Sequence, residues 1–234
     1  MSILHFSQAP SRYAPVDPQP LYIVVEGPIG VGKTTLVHRL RERMSAHLVL
    51  EVVEENPFLA KFYGDPARYA FQTQLFFLMS RFKQQQEMSA LGEGTHVLAD
   101  YHLLKDRIFA ELTLGAEELT LYEEVYQSLA TYIRKPDVLI YLHAEEEELL
   151  SRIQRRGRPF ESNFDRSYLS RLSERYQHHF NSYNDSPLLK LNTTQIDYVN
   201  HNEPIEEIYQ ELTRLASNGR AGFAFENCMS SNFA

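Results

Sequence analysis

Nine residues, Gly27-Pro28-Ile29-Gly30-Val31-Gly32-Lys33-Thr34-Thr35, constrain this chain more than any other stretch. They fit the pattern G-x-x-x-x-G-K-[ST] and lie between an apolar run at 21–26 and a helix-like stretch at 33–45. Each residue type has a task in gripping a polyphosphate. Glycines let the backbone turn tightly and bring N–H groups to phosphate oxygens. The following helix adds the partial positive charge of its first turn. Lys33 reaches the outer phosphates, and the Thr34 hydroxyl is suited to ligate Mg²⁺. The expected ligand is a nucleoside triphosphate.

Further short apolar runs follow at 47–53, 96–100, 137–143 and 188–192. Helical stretches alternate with them, at 66–91, 117–134, 145–155, 165–183 and 204–216. Strands that are apolar throughout, rather than at every second residue, are buried on both sides. The pattern therefore predicts an α/β fold: a five-stranded parallel sheet with helices on both faces. Residues 1–20, with Pro10, Pro15, Pro18 and Pro20, are expected to be an extended lead-in, 21–216 a single domain, and 217–234 a loose tail. The acidic run 145–148 opens a helix, where carboxylates meet the positive end of the dipole, and Asp165 reads as a helix N-cap.

Composition removes several function classes. With 31 acidic against 23 basic residues, the formal net charge is −8, which weighs against a broad nucleic-acid surface. A single cysteine, Cys228, excludes an intrachain disulfide and a cysteine-based zinc site. No apolar run approaches the roughly 20 residues of a membrane helix. The first residues also lack a basic-then-apolar signal layout, so a cytoplasmic protein is expected. No Asn-Lys-x-Asp string of a GTPase is present, nor the Gly-rich signature of a transporter ATPase, which leaves a small-molecule kinase.

Four further segments narrow the class: Glu51-Val52-Val53-Glu54-Glu55-Asn56-Pro57-Phe58-Leu59; Phe62-Tyr63-Gly64-Asp65-Pro66 with Tyr69-Ala70-Phe71-Gln72; Val97-Leu98-Ala99-Asp100-Tyr101-His102; and the arginine-rich stretch 152–161. From about 21 to 197 the chain resembles the deoxynucleoside kinase family, in particular its bacterial deoxyguanosine/deoxyadenosine kinase branch. The resemblance implies transfer of the ATP γ-phosphoryl group to the 5′-hydroxyl of a deoxynucleoside, purine in this branch, for nucleotide salvage. It implies ATP and Mg²⁺ as cofactors and a homodimer.

It also implies roles. Glu51 takes the position of the family's general base, with Glu54 and Glu55 close by; a carboxylate at a strand's carboxyl end faces the crevice where α/β sheets bind ligands. Tyr63 and Glu161 match the pair that binds the sugar 3′-hydroxyl, and Phe71 and Gln72 match the pair that holds the base. Gln72, Leu75 and Met79 share one helix face, which adds Met79 to the base slot. Asp100 matches the acid that helps hold Mg²⁺. Tyr101 departs from the family, which has an arginine there; Lys105 and Arg107 are candidates for the missing charge. Arg156 and Arg158 match lid arginines that neutralise the transferring phosphoryl group, whereas Arg152 reads as a basic helix end meeting its own dipole. The segment 191–197 corresponds to the loop over the ATP adenine. Two other readings fit the same fold: a thymidylate-type nucleoside monophosphate kinase, which needs extra cations for the acceptor phosphate, and a non-catalytic nucleotide-binding subunit.

Overall fold

Five parallel strands form one sheet in the order β2-β3-β1-β4-β5, with β1 (Tyr22–Glu26) at its centre. The others are β2 (Ala46–Val49), β3 (His96–Ala99), β4 (Val138–His143) and β5 (Leu188–Asn192). The helices are α1 (Lys33–Arg43), α2 (Leu59–Gly64), α3 (Pro66–Ser89), α4 (Leu104–Thr113), α5 (Ala116–Ala130), α6 (Glu146–Arg156), α7 (Arg166–Asn181) and α8 (Glu203–Gly219). The computed structural model describes residues 19–89, 91, 94–158, 161 and 165–219. Nearly all of the expected lead-in, and the tail from 220 on with Cys228, lie outside the described residues.

The two faces of β1 explain its unbroken apolar sequence. Ile23 and Val25 join one core with α1, α6 and α8, through Leu36, Leu40, Leu149, Ile153 and Leu212. Tyr22 and Val24 join the opposite core with α4 and α7, through Ile108, Leu172, Tyr176 and Phe180. A strand buried on both sides has no solvent face on which to place polar residues.

Helix ends follow the expected chemistry. Glu146, Glu147 and Glu148 occupy the first turn of α6, Arg155 and Arg156 its last, and Gly157 closes it in a left-handed conformation. Asp165 caps α7 by accepting the Ser167 N–H. Not every stretch follows the pattern, and α4 lies outside the stretches it marked as helical. The run 47–53 yields a strand only to Val49, because the Asp100 carboxylate takes up the Glu51 N–H and bends the chain out of the sheet into a 3-10 turn at Val53–Glu55. The apolar pattern also does not announce α2, whose six residues bury only Leu59 and Phe62. Helix α8 continues to Gly219, past the boundary expected at 216.

Behind the sheet, Tyr141, Tyr176 and Phe180 stack as a slab, Tyr141 on Phe180 at 4.6 Å between ring centres. This slab supports the end of β1, since the Tyr176 hydroxyl donates to Glu26 Oε1 at 3.0 Å. Phe180→Ala is expected to remove about 3–5 kcal/mol of stability, read by urea denaturation; a loss below about 1 kcal/mol would mean that the slab does not support the fold.

Candidate active site

The carboxyl ends of β1, β2 and β3 converge on a cleft of about 1020 Å³, as the ligand-binding rule for parallel sheets requires. Its floor is the loop from Gly27 to Thr35. Gly27 has φ +151°, and a Cβ there would strike the Leu142 carbonyl oxygen of β4. Gly32 has φ +102° and lies against the Tyr198 hydroxyl, which donates to the carbonyls of Val31 and Gly32, both at 3.3 Å. Pro28 and Ile29 carry the turn, with Ile29 packed against the core; Gly30 is left-handed and lies against Ile153. Thr34 and Thr35 are exposed at the head of α1. The Lys33 ammonium folds across the loop, donating to the carbonyls of Gly27 (2.7 Å) and Pro28 (3.1 Å), where phosphate oxygens can replace them.

Arg152 is more than a helix end. Its guanidinium donates to Val31 O at 3.2 Å, Thr193 Oγ1 at 2.8 Å and Thr193 O at 2.9 Å. It thereby joins the loop to the segment 193–200, which lines the same cleft.

Asp100 joins the Thr34 side of the cleft to the Glu51 side. Its Oδ2 accepts from the Thr34 hydroxyl at 2.5 Å and its Oδ1 from the Glu51 N–H at 2.7 Å. A hydroxyl and a carboxylate in contact form a hard-oxygen pair that suits Mg²⁺, which takes one or two protein ligands and fills the rest of its shell with phosphate and water.

Glu51 is held between two cations. Its Oε1 accepts from Arg81, and its Oε2 from Lys105 at 2.5 Å. Arg81 also pairs with Asp106. Burial pushes the Glu51 carboxyl up, but Lys105 and then Arg81 outweigh it and hold the group well below the usual carboxylate range. Glu55 is exposed, and the side chain of Glu54 lies outside the described residues. Beneath the cluster, Glu26 is fully buried; its Oε1 accepts from the Gly27 N–H at 2.9 Å and its Oε2 from the His102 N–H at 2.7 Å.

Tyr63, Arg156, Arg158 and Glu161 line the opposite wall. Arg156 holds Glu161 with contacts of 2.6 and 2.8 Å from one nitrogen. Burial first, then the Glu161 charge, raise the Tyr63 phenol, so it stays protonated. A neutral hydroxyl beside a carboxylate can bind another hydroxyl from both sides.

The base slot differs from expectation. Gln72 and Met79 are exposed, Met79 by 48%, and Phe71 packs instead against the cluster of Leu78, Leu103 and Tyr122. The side chains of α3 that reach the cleft are Gln74, Phe77 and Arg81, with Phe109 from α4. These have the same i, i+3, i+7 spacing, displaced by two residues, a rotation of about 200°. The available signal was Arg81 itself: a cation beside an apolar run needs a buried partner. Asn56 is buried in a structural role, donating to Thr73 O at 3.1 Å and accepting from the Phe58 N–H at 3.0 Å. Arg107 points away, toward Glu123 at 2.8 Å.

Burial first, and Lys105 second, push the Lys33 ammonium down to about 8. A lysine is charged below its pKa, so ATP affinity should weaken as pH rises through that value. Calorimetric titration is expected to show the Kd for ATP rising severalfold between about pH 7 and pH 9, with the slope lost in Lys33→Met.

The chain is similar to known proteins over most of its length. Residues 23–217 match the deoxynucleoside kinase family. A deoxyguanosine kinase of Bacillus subtilis is 43% identical over 158 residues, 67% of this chain and 76% of that protein. A deoxyadenosine/deoxycytidine kinase of the same organism is 35% identical over 206 residues, 85% of this chain and 94% of its own length. Among solved structures, that of deoxyadenosine kinase from M. mycoides with bound dATP superposes with a TM-score of 0.72 at 25% identity, covering 82% of this chain and 98% of that one.

Proposed function

This chain belongs to the deoxynucleoside kinase family, and on that footing we propose that it transfers the γ-phosphoryl group of ATP to the 5′-hydroxyl of a purine deoxynucleoside. The observation that carries the reading is the position of Asp100, in contact with the Thr34 hydroxyl on the phosphate side and with the backbone of Glu51 on the acceptor side. Donor and acceptor machinery thus meet in one cleft.

The loop N–H groups and Lys33 bind the triphosphate. Thr34 and Asp100 would hold Mg²⁺, which when bound would neutralise charge at the phosphates. Glu51 accepts the proton of the 5′-hydroxyl. The freed oxygen bonds to the γ-phosphorus as the bond from that phosphorus to the bridging oxygen breaks, and ADP leaves with the electron pair. Arg156 and Arg158 close over the transferring group, while Tyr63 and Glu161 take the 3′-hydroxyl. Gln74, with Phe77 and Phe109, takes the base: an amide between aromatic rings offers two donors and an acceptor to a base edge. The purine preference rests on the 43% identity to a deoxyguanosine kinase.

The two cations nearest the base are already paired with carboxylates, Arg81 with Glu51 and Asp106 and Lys105 with Glu51. No helix of the described residues is long and apolar enough to cross a membrane.

ADP release with ATP, Mg²⁺ and each of the four deoxynucleosides, with thymidine monophosphate in parallel, tests the reaction. Turnover is expected on deoxyguanosine or deoxyadenosine, with kcat falling about 10²- to 10⁴-fold in Glu51→Gln; turnover on the monophosphate alone would overturn the reading. We propose further that two copies pair through α3 and α5, which pack together and leave Met79 and Leu121 48% and 52% exposed. Light scattering is expected to give twice the chain mass for the wild type and the single-chain mass for Met79→Glu.

A further inference from the structure

The residue after Asp100 is Tyr101. It is fully buried; its hydroxyl donates to Gln84 Oε1 at 2.8 Å, and its ring lies 5.5 Å from the Arg81 guanidinium. Burial keeps the phenol neutral, so Tyr101 brings no positive charge to the reacting groups.

One turn further on, the chain folds back. The Lys105 N–H donates to His102 O at 3.0 Å, and Glu26 pins that turn through the His102 N–H. This brings the Lys105 side chain into the cleft at 7% exposure, with its ammonium 2.5 Å from Glu51 Oε2 and 5.6 Å from the centre of the Phe109 ring. An ammonium has three N–H donors, and among the described residues Glu51 is the one hydrogen-bond acceptor of this one. A counter-ion for Glu51 alone does not need this placement, because Arg81 already pairs with the same carboxylate. A buried cation with spare donors, lining the cleft beside the base, is a receptor for an anionic oxygen.

We propose that Lys105 is a catalytic residue of the phosphoryl transfer, holding Glu51 with one N–H and taking an oxygen of the transferring phosphoryl group with another. This rests on the kinase reading above. The proton still passes from the 5′-hydroxyl to Glu51, and the bond to the ADP oxygen still breaks. Lys105 gains no bond and loses no proton; it stabilises charge that spreads over the phosphoryl oxygens in the transition state.

The test is Lys105→Met, which keeps an unbranched stem and removes the charge, with Lys105→Gln read in the same way where the methionine variant does not fold. Expected is a fall in kcat of about 10²- to 10³-fold, with the deoxynucleoside KM changed less than about threefold and circular dichroism unchanged. Activity of Lys105→Ala should be partly restored by added methylamine, and Lys105→Arg should keep more activity than either neutral variant. Folded Lys105→Met with kcat within threefold of the wild type would overturn the inference and leave the kinase reading intact. A loss that neither methylamine nor arginine relieves would likewise overturn it and reduce Lys105 to a structural ion pair. Wild-type protein without turnover on any deoxynucleoside would overturn the kinase reading itself.

Discussion

One carboxylate buried away from water organises this site. Glu26, at the end of the central strand, accepts from the Gly27 N–H, the His102 N–H and the Tyr176 hydroxyl. A buried charge is costly unless such donors surround it, and burial raises this carboxyl above its ordinary pKa. The three donors come from the phosphate loop, the turn after β3 and helix α7. The geometry of the first two is therefore fixed from below by a residue that need not touch a ligand. The stacked rings of Tyr141, Tyr176 and Phe180 hold this post from behind.

Above it the charges are arranged in pairs. Glu51 and Asp106 face Arg81 and Lys105, and Glu161 faces Arg156. Side chains held by such contacts are oriented before a substrate arrives, and that is how a protein makes electrostatic stabilisation effective in a closed cleft. The arrangement has a cost. A carboxylate gripped by two cations is ionised at any working pH but is a weak proton acceptor.

Much of this was legible in the sequence, for reasons that differ by element. The phosphate loop is a contiguous string whose glycines answer to local backbone needs, so its position and context could be read directly. The five strands were legible because burial on both faces forces unbroken apolar runs. The face of α3 was not. Leu75, Phe76, Phe77, Leu78 and Met79 are apolar around the whole helix, so nothing in the pattern distinguishes the cleft side from the outer side. Gln72 and Gln74 are equivalent as letters and point about 200° apart as side chains. The role of Lys105 stayed open for a similar reason, since its approach to Glu51 depends on the turn at 102–105 and on which buried acceptor pins it.

The phosphate loop is encoded within the first 35 residues, yet its shape is completed by residues far along the chain. Arg152 and Thr193 close its back, and the Tyr198 hydroxyl fills the space beside Gly32. A ribosome makes the last support of this loop more than 160 residues after the loop itself. A nascent chain therefore carries the motif for more than 160 residues before everything that completes its shape has been made.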